Sequence, residues 1–335
     1  MNRCTKAILY KSNLEYNIKQ IKNFIKSGVK LCIAVKADSY GHNAVLTSKI
    51  AESLGVEYLA VATVSEGVEL RQAGIKAHIL LLSLCVPEEF SDLFEYDLTP
   101  LVFGNEYIVA LDKAAMEYSN KKLCKENPKK HSVFLAIDTG MGRIGCYPEE
   151  AGDEAKLINA SSYISLKGLI THLCVSDSLI EDNQVFTKEQ GEEFKLAVEN
   201  VRKVGINPGI LSCGASAGLL NYPDLQFDLV RLGIITYGYY PDEITKEYLK
   251  SQKKDFDIRP VLALETQIVA IRHFPKGKTV SYGRTYECPD ETDIAILPIG
   301  YADGLLRRYS PGLEVTIIWK KLSGTWSYLY GSMHG

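Results

Sequence analysis

Eight short aliphatic runs separated by longer amphipathic stretches set the strongest constraint on the fold. The runs are Leu31–Lys36, Glu57–Ala62, His78–Ser83, Leu98–Val102, Ser132–Asp138, Ser165–His172, Gly209–Cys213 and Leu232–Tyr237. Helix-like stretches lie before or between them, at Ser12–Ile25, Ala44–Leu54, Ser65–Gln72, Asn105–Tyr118 and Lys188–Val204. The last places Phe194, Val198 and Val201 on one face, at spacings of four and three. Eight strands, most followed by a helical stretch, predict an α/β chain with a (β/α)8 TIM-type barrel over residues 10–240. A doubly wound open sheet uses the same alternation and stays open on this evidence. No Gly-x-Gly-x-x-Gly opens an early helix, so a dinucleotide site is not indicated.

The character changes after Tyr239. Pro241–Ile258 is polar, which predicts a linker over 241–260. Val261–His273, Val280–Tyr286, Ile294–Ile299 and Leu313–Trp319 then read as strands between Gly and Pro turns, without intervening helices. A second, β-rich domain is expected over 261–335, too short to be complete, with residues 1–9 packing on it as a strand.

A net charge of -3 on 335 residues offers no basic field for nucleic acid or an anionic membrane. The N-terminus, Met1-Asn2-Arg3-Cys4-Thr5-Lys6, lacks the apolar region of a signal peptide, and no stretch approaches a membrane-spanning length. The eight cysteines are dispersed, mostly in apolar segments, with no Cys-x-x-Cys pair. That pattern predicts buried thiols in a reducing cytoplasm. The six histidines show no ligand-like spacing, so no structural metal is expected.

The polar residues are informative by position, because barrel chemistry gathers where strands end. Lys36 ends the first run and His172 the sixth; Arg143 follows the fifth in Asp138-Thr139-Gly140-Met141-Gly142-Arg143. Ser216 follows the seventh, and Arg231 leads into the eighth with Gly233 just beyond. Each has a plain structural alternative: a snorkelling lysine, a glycine turn, a core histidine, a helix-capping serine. Their shared placement favours a site.

At these residues the sequence resembles the alanine racemases, from about residue 3 to residue 315. Ala34-Val35-Lys36-Ala37-x-x-Tyr40-Gly41-His42 looks like the family's cofactor-lysine signature. Asp138-Thr139-Gly140-Met141-Gly142-Arg143-Ile144-Gly145, Ser281-Tyr282-Gly283-Arg284-Thr285-Tyr286 and Pro298-Ile299-Gly300-Tyr301-Ala302-Asp303-Gly304 follow in family order. The resemblance implies an amino-acid racemase dependent on pyridoxal 5'-phosphate, with Lys36 as cofactor lysine and as one of two bases. Tyr282 would be the other base, reaching the site from the partner of a head-to-tail homodimer. Arg231 would face the cofactor's pyridine nitrogen with His172 orienting it. Tyr40, Ser216, Gly233 and Ile234 would hold the phosphate, and Arg143 and Tyr301 would meet the substrate. The family's role further implies D-alanine supply for peptidoglycan.

Three departures qualify the match. Many family members carry a lysine, often carbamylated, seven residues before the arginine of the Asp-Thr-Gly-Met motif; here that position is Ala136. An ion or another side chain then has to orient Arg143. The usual Asn before the phosphate-loop serine is Ala215. His172-Leu173-Cys174-Val175-Ser176-Asp177-Ser178 and Asn221-Tyr222-Pro223-Asp224 look closer to serine/alanine racemases, so serine is an alternative substrate.

The end of the sequence departs furthest. The family pattern calls for a Cys-Met-Asp-Gln motif, whereas this chain ends Gly324-Thr325-Trp326-Ser327-Tyr328-Leu329-Tyr330-Gly331-Ser332-Met333-His334-Gly335. Shifting the reading by one base permits the motif there, which predicts a frameshift between about Glu314 and Trp319 and raises an inactive cofactor-binding remnant as a further alternative. A barrel decarboxylase of basic amino acids would place an acid where Arg231 stands, and a non-enzymatic cofactor-binding barrel would lack the Tyr282 motif.

Overall fold

The aliphatic runs become parallel strands because both of their faces find cover. A computed structural model describes residues 3–121, 130–309, 315–317 and 320–322. The chain divides into two units, residues 10–261 and residues 1–9 with 262–335.

Strand β1 (Lys6–Leu9) leads into α1 (Lys11–Phe24), β2 (Lys30–Ala34), a single turn α2 (Lys36–Gly41) and α3 (Ala44–Ser53). Next come β3 (Tyr58–Val61), α4 (Val64–Gln72), β4 (His78–Leu81) and α5 (Phe90–Glu95). They are followed by β5 (Leu98–Thr99), β6 (Leu101–Val102), α6 (Asn105–Lys121), β7 (His131–Ala136), α7 (Ala151–Ala160) and β8 (Ile164–Ile170). Helix α8 (Glu181–Lys203), β9 (Ile210–Ser212), α9 (Ser216–Asn221), β10 (Leu229–Leu232) and α10 (Lys246–Ser251) complete the larger unit.

Its strands pair in parallel as β10-β2-β3-β4-β5 and β6-β7-β8-β9. Pro100, which has no N–H to give, separates β5 from β6, and its carbonyl accepts from Phe134 N at 3.0 Å. On the other side Asp228 N donates to Leu211 O and Arg231 N to Gly214 O, each at 3.0 Å. With β5 and β6 as one interrupted strand, these bonds close an eight-stranded TIM-type barrel.

Alternate residues sort into two apolar layers, as the period of a strand demands. Ile33, Leu59, Val61, Ile79, Leu81, Val133 and Leu135 pack outward with the helices. Cys32, Tyr58, Ala60, Leu80, Phe134, Ala136 and Leu229 fill the interior.

Within this unit three expectations change. The eighth strand is β10, ending at Leu232, and Ile234–Tyr237 is a 3-10 turn, so Arg231 lies within the strand rather than ahead of it. A charged residue in its middle hid the strand from a search for apolar runs. Helix α8 starts at Glu181 rather than Lys188; its opening turns carry no apolar stripe, but Glu181 and Asp182 complement the N-terminal dipole. Residues 241–260, expected as a linker, instead form α10 and bury Ile244, Leu249, Phe256 and Ile258 within the larger unit's core. Those four apolar residues are too scattered for a helical stripe to be visible.

The second unit contains β11 (Leu262–Glu265), β12 (Ala270–Phe274), β13 (Thr279–Val280), β14 (Tyr286–Glu287), β15 (Thr292–Ile296), β16 (Val315–Ile317) and β17 (Lys320–Leu322). Among the described residues it is a set of antiparallel pairs, β1 with β11, β12 with β15, β13 with β14, and β16 with β17. Phe274, Val280 and Cys288 form a small core. The run Val280–Tyr286 is a tight turn rather than one strand, because Ser281, Gly283 and Arg284 all adopt positive φ. The tail on which the frameshift expectation falls lies outside the described residues, apart from 315–317 and 320–322.

Candidate active site

Parallel strands all end at the same mouth of a barrel, and the loops leaving that mouth carry Lys36, Arg143, His172, Ser216, Gly233 and Ile234. Tyr282 and Tyr301 belong to the second unit.

Lys36 is half-buried and begins the turn after β2. Ala37, Asp38, Ser39 and Tyr40 follow with φ of 51, 51, 54 and 53°, a left-handed turn of four non-glycine residues. Each such residue costs about 1–2 kcal/mol, so the surroundings must hold the turn in place. Glu66 Oε1 accepts from Ala37 N at 2.8 Å, and its Oε2 from Ala62 N at 2.7 Å. Asp38 Oδ1 accepts from Ala44 N at 2.7 Å, tying the turn to α3. Tyr237 closes it from below, donating its hydroxyl to Ala34 O at 2.7 Å while its ring meets those of Tyr40 and His42.

Arg231 is buried in β10, and its register neighbour on β2 is Cys32. Its Nη1 donates to Ser212 Oγ at 2.6 Å and its Nη2 to Thr171 O at 2.6 Å. Nη2 also approaches Cys213 O at 3.2 Å and His172 Nδ1 at 3.3 Å. Burial pushes the thiols of Cys32 and Cys213 up to about 12, so neither is an anion beside the guanidinium. Burial pulls Arg231 itself down, yet an arginine retains its proton at any working pH. A lasting cation is thus met by neutral acceptors alone. His172 is held neutral: burial, followed by the charges of Arg231, Arg143 and Lys36, pushes it down to about 3. Since the guanidinium can only donate, Nδ1 is the acceptor and the ring proton sits on Nε2.

Ser216 opens α9 and its Oγ accepts from Gly233 N at 3.2 Å. A Cβ at Gly233 would stand 3.4 Å from the Tyr40 hydroxyl, so the missing side chain keeps a small cradle open between these residues. Ile234 starts the 3-10 turn beside it. Two hydroxyls and the amides of a turn's first residues form a donor set suited to a phosphate. Burial, and secondly Glu66, raises the Tyr40 phenol, which keeps it protonated and able to donate.

Arg143 is exposed, on a loop folded around Asp138, whose Oδ1 accepts from Gly140 N at 2.9 Å and Gly142 N at 3.1 Å. Ala136 points into the barrel interior and offers the loop no polar support. In the second unit Tyr282 lies on the tight turn and is exposed, while Tyr301 begins a 3-10 turn that ends at Asp303. Asp303 pairs with Arg3 at 2.7 Å and also accepts from Gly300 N at 3.0 Å.

Sequence reading missed Glu66, Ser212, Thr171, Tyr237 and Gln190. Glu66 sits three residues after Thr63, and both halves of their capping box form; only its second oxygen, on Ala37, was out of sight. Gln190 lies four residues before Phe194 on the buried face of α8, a polar residue in an apolar stripe.

Residues 10–241 match the family model for the alanine racemase N-terminal domain, and residues 261–323 match that for the C-terminal domain. An alanine racemase of Treponema denticola is 47% identical over 94% of this chain and 79% of its own length. One from Halothermothrix orenii is 36% identical over 96% and 80%. Among solved structures, the alanine racemase of Clostridium difficile superposes with a TM-score of 0.83 at 34% identity, over 96% of this chain and 79% of that one. The Bacillus anthracis alanine racemase with bound L-Ala-P gives 0.81 at 30%, over 94% and 78%.

Proposed function

Because the chain belongs to the alanine racemase family, a family of isomerases, we propose that it interconverts L- and D-alanine with pyridoxal 5'-phosphate, supplying D-alanine for peptidoglycan in the cytoplasm. The observation that carries the reading is the grouping at one barrel mouth of the Lys36 amine, the permanently charged Arg231 and the neutral His172.

The residues present fit the cofactor. Lys36 offers a primary amine, Arg231 an N–H donor for a ring nitrogen, and the Tyr40–Ser216–Gly233 cradle the donors for a phosphate. When bound, pyridoxal phosphate supplies an electron sink that acidifies the substrate's Cα–H.

Arg231, which keeps its proton, would hold that group's ring nitrogen as a hydrogen-bond donor and would leave it unprotonated, tempering the sink. His172, being neutral, adds no second charge and accepts one of the Arg231 hydrogens. Lys36 Nζ holds the proton on one face of the substrate and the Tyr282 hydroxyl on the other, so that either enantiomer regains its hydrogen. Arg143 and Tyr301 receive the substrate. The active form is a homodimer in which Tyr282 of one copy serves the barrel of the other.

Proton NMR of L-alanine in D2O, with the chain and added pyridoxal phosphate, tests the reading. Loss of the Cα–H signal, with D-alanine appearing on chiral chromatography of the same sample and neither seen with cofactor alone, is the expected result. Retention of the signal for alanine and serine alike overturns it, and loss for serine only moves the assignment to the serine alternative.

A further inference from the structure

Gln190 is fully buried on α8, yet its carboxamide touches two separate loops of the barrel mouth, those after β7 and β8. Its Oε1 accepts from Cys174 N at 3.1 Å and from the Cys174 thiol at 3.4 Å. Its Nε2 donates to His172 O at 3.3 Å and to Thr139 Oγ1 at 3.2 Å. Both donors and both acceptor directions of the amide are used. The amide cannot be turned over, because Cys174 N–H can only donate and the His172 carbonyl can only accept. Thr139 Oγ1 in turn meets Thr171 Oγ1 at 2.8 Å, and Thr171 O takes the short bond from Arg231.

One helical turn earlier, Phe186 presses on the same loop. A Cβ at Gly140, whose φ is +127°, would come within 2.8 Å of the Phe186 ring. Positions four apart on α8 therefore grip two consecutive residues of the loop that bears Arg143.

We infer that Gln190 is a positioning residue for the racemase site, holding His172, and through it Arg231, in register with the Thr139–Arg143 loop. The inference rests on the reading given under Proposed function. Gln190 touches no reacting atom; it acts through His172 O and Thr139 Oγ1. Glutamate at this position preserves shape and acceptors but removes the donation to His172 O and Thr139 Oγ1. Valine at position 139 cuts the same bridge from the other end.

Gln190→Glu, Thr139→Val and the double variant are compared with wild type and with Glu189→Gln, which faces solvent one residue along. The expected result is a fall in kcat of about ten- to a hundredfold with a raised KM for alanine in each single variant. The double variant should be no worse than Gln190→Glu, because one bridge can be broken only once. In the cofactor-free proteins, 15N NMR of the imidazole should show a single tautomer for His172 in wild type and Glu189→Gln, and a mixture in the bridge variants. Unchanged kcat, KM and His172 signals in folded variants overturn the inference, as does simple additivity of the two lesions. Should Gln190→Glu not fold, Thr139→Val carries the same expectation by itself. A wild type that fails to racemise defeats the functional reading instead, and the tautomer comparison in the cofactor-free proteins still decides the role of Gln190.

Discussion

The barrel and the β unit hold their site residues in opposite ways. In the barrel, a closed ring of parallel strands carries an interior layer and a helix-facing layer, and the candidate groups lie in a strand or on loops that leave strand ends. In the β unit, described strands come in pairs over a core of Phe274, Val280 and Cys288, and Tyr282 sits on a tight turn between two-residue strands. Two-stranded elements are marginal by themselves in water. The β unit also exposes apolar side chains, with Ile271 at 65% and Val269 at 57% exposure. The groups proposed to hold cofactor therefore rest on a rigid frame, whereas the proposed second base depends on a unit that needs cover to be firm.

The comparison breaks most severely if the barrel's own amine is dispensable. Lys36→Ala should lower racemisation on the order of a thousandfold or more while leaving the circular dichroism spectrum intact. A variant within tenfold of wild type would move the chemistry elsewhere. Next in size is Tyr282→Phe, expected to reduce turnover by about a hundred- to ten-thousandfold with no shift in Tm. In D2O it should also slow Cα–H exchange far more from one enantiomer than from the other; equal slowing from both contradicts a two-base division.

A smaller effect concerns stability alone. The folded state pushes His172 down to about 3, whereas an unfolded histidine titrates near 6.5. The neutral form is favoured by folding, so its contribution is fully present above about pH 6.5 and is lost as pH falls toward 3. Stability should decline by a few kcal/mol across that window, and His172→Gln should flatten the decline in urea titrations. An equal slope in both proteins removes His172 as the cause. The smallest effect sharpens the contrast from the other unit: Ile271→Thr should change the stability of an isolated chain by no more than about 0.5 kcal/mol. A larger loss, read by the same titration, means that the exposed strand face is covered in the working assembly.

Much of the barrel was legible because its strands are apolar runs bounded by polar punctuation. Where a polar residue entered a strand or a core stripe, the pattern failed. Arg231 masked the start of β10, and Gln190 looked like one more polar residue of a long helix. Residues 241–260 failed for the reverse reason, since their four buried side chains are irregularly spaced. The site residues themselves were reached through motif resemblance and strand-end position. Their supporting contacts were not, because Glu66 to Ala37 and Gln190 to Thr139 join segments far apart in sequence.

The left-handed turn after Lys36 also decides which substitutions the chain tolerates there. At positions 37–40 the backbone sits in a region where glycine, asparagine and aspartate are accommodated and β-branched residues are not. Ala37→Gly should be accepted with little change, and Ala37→Val rejected, although both alter a small, exposed side chain of no chemical use. The narrow choice of residues beside the lysine then reflects the handedness of the peptide chain, and a variant library built on side-chain chemistry would be enriched at these positions for the wrong reason.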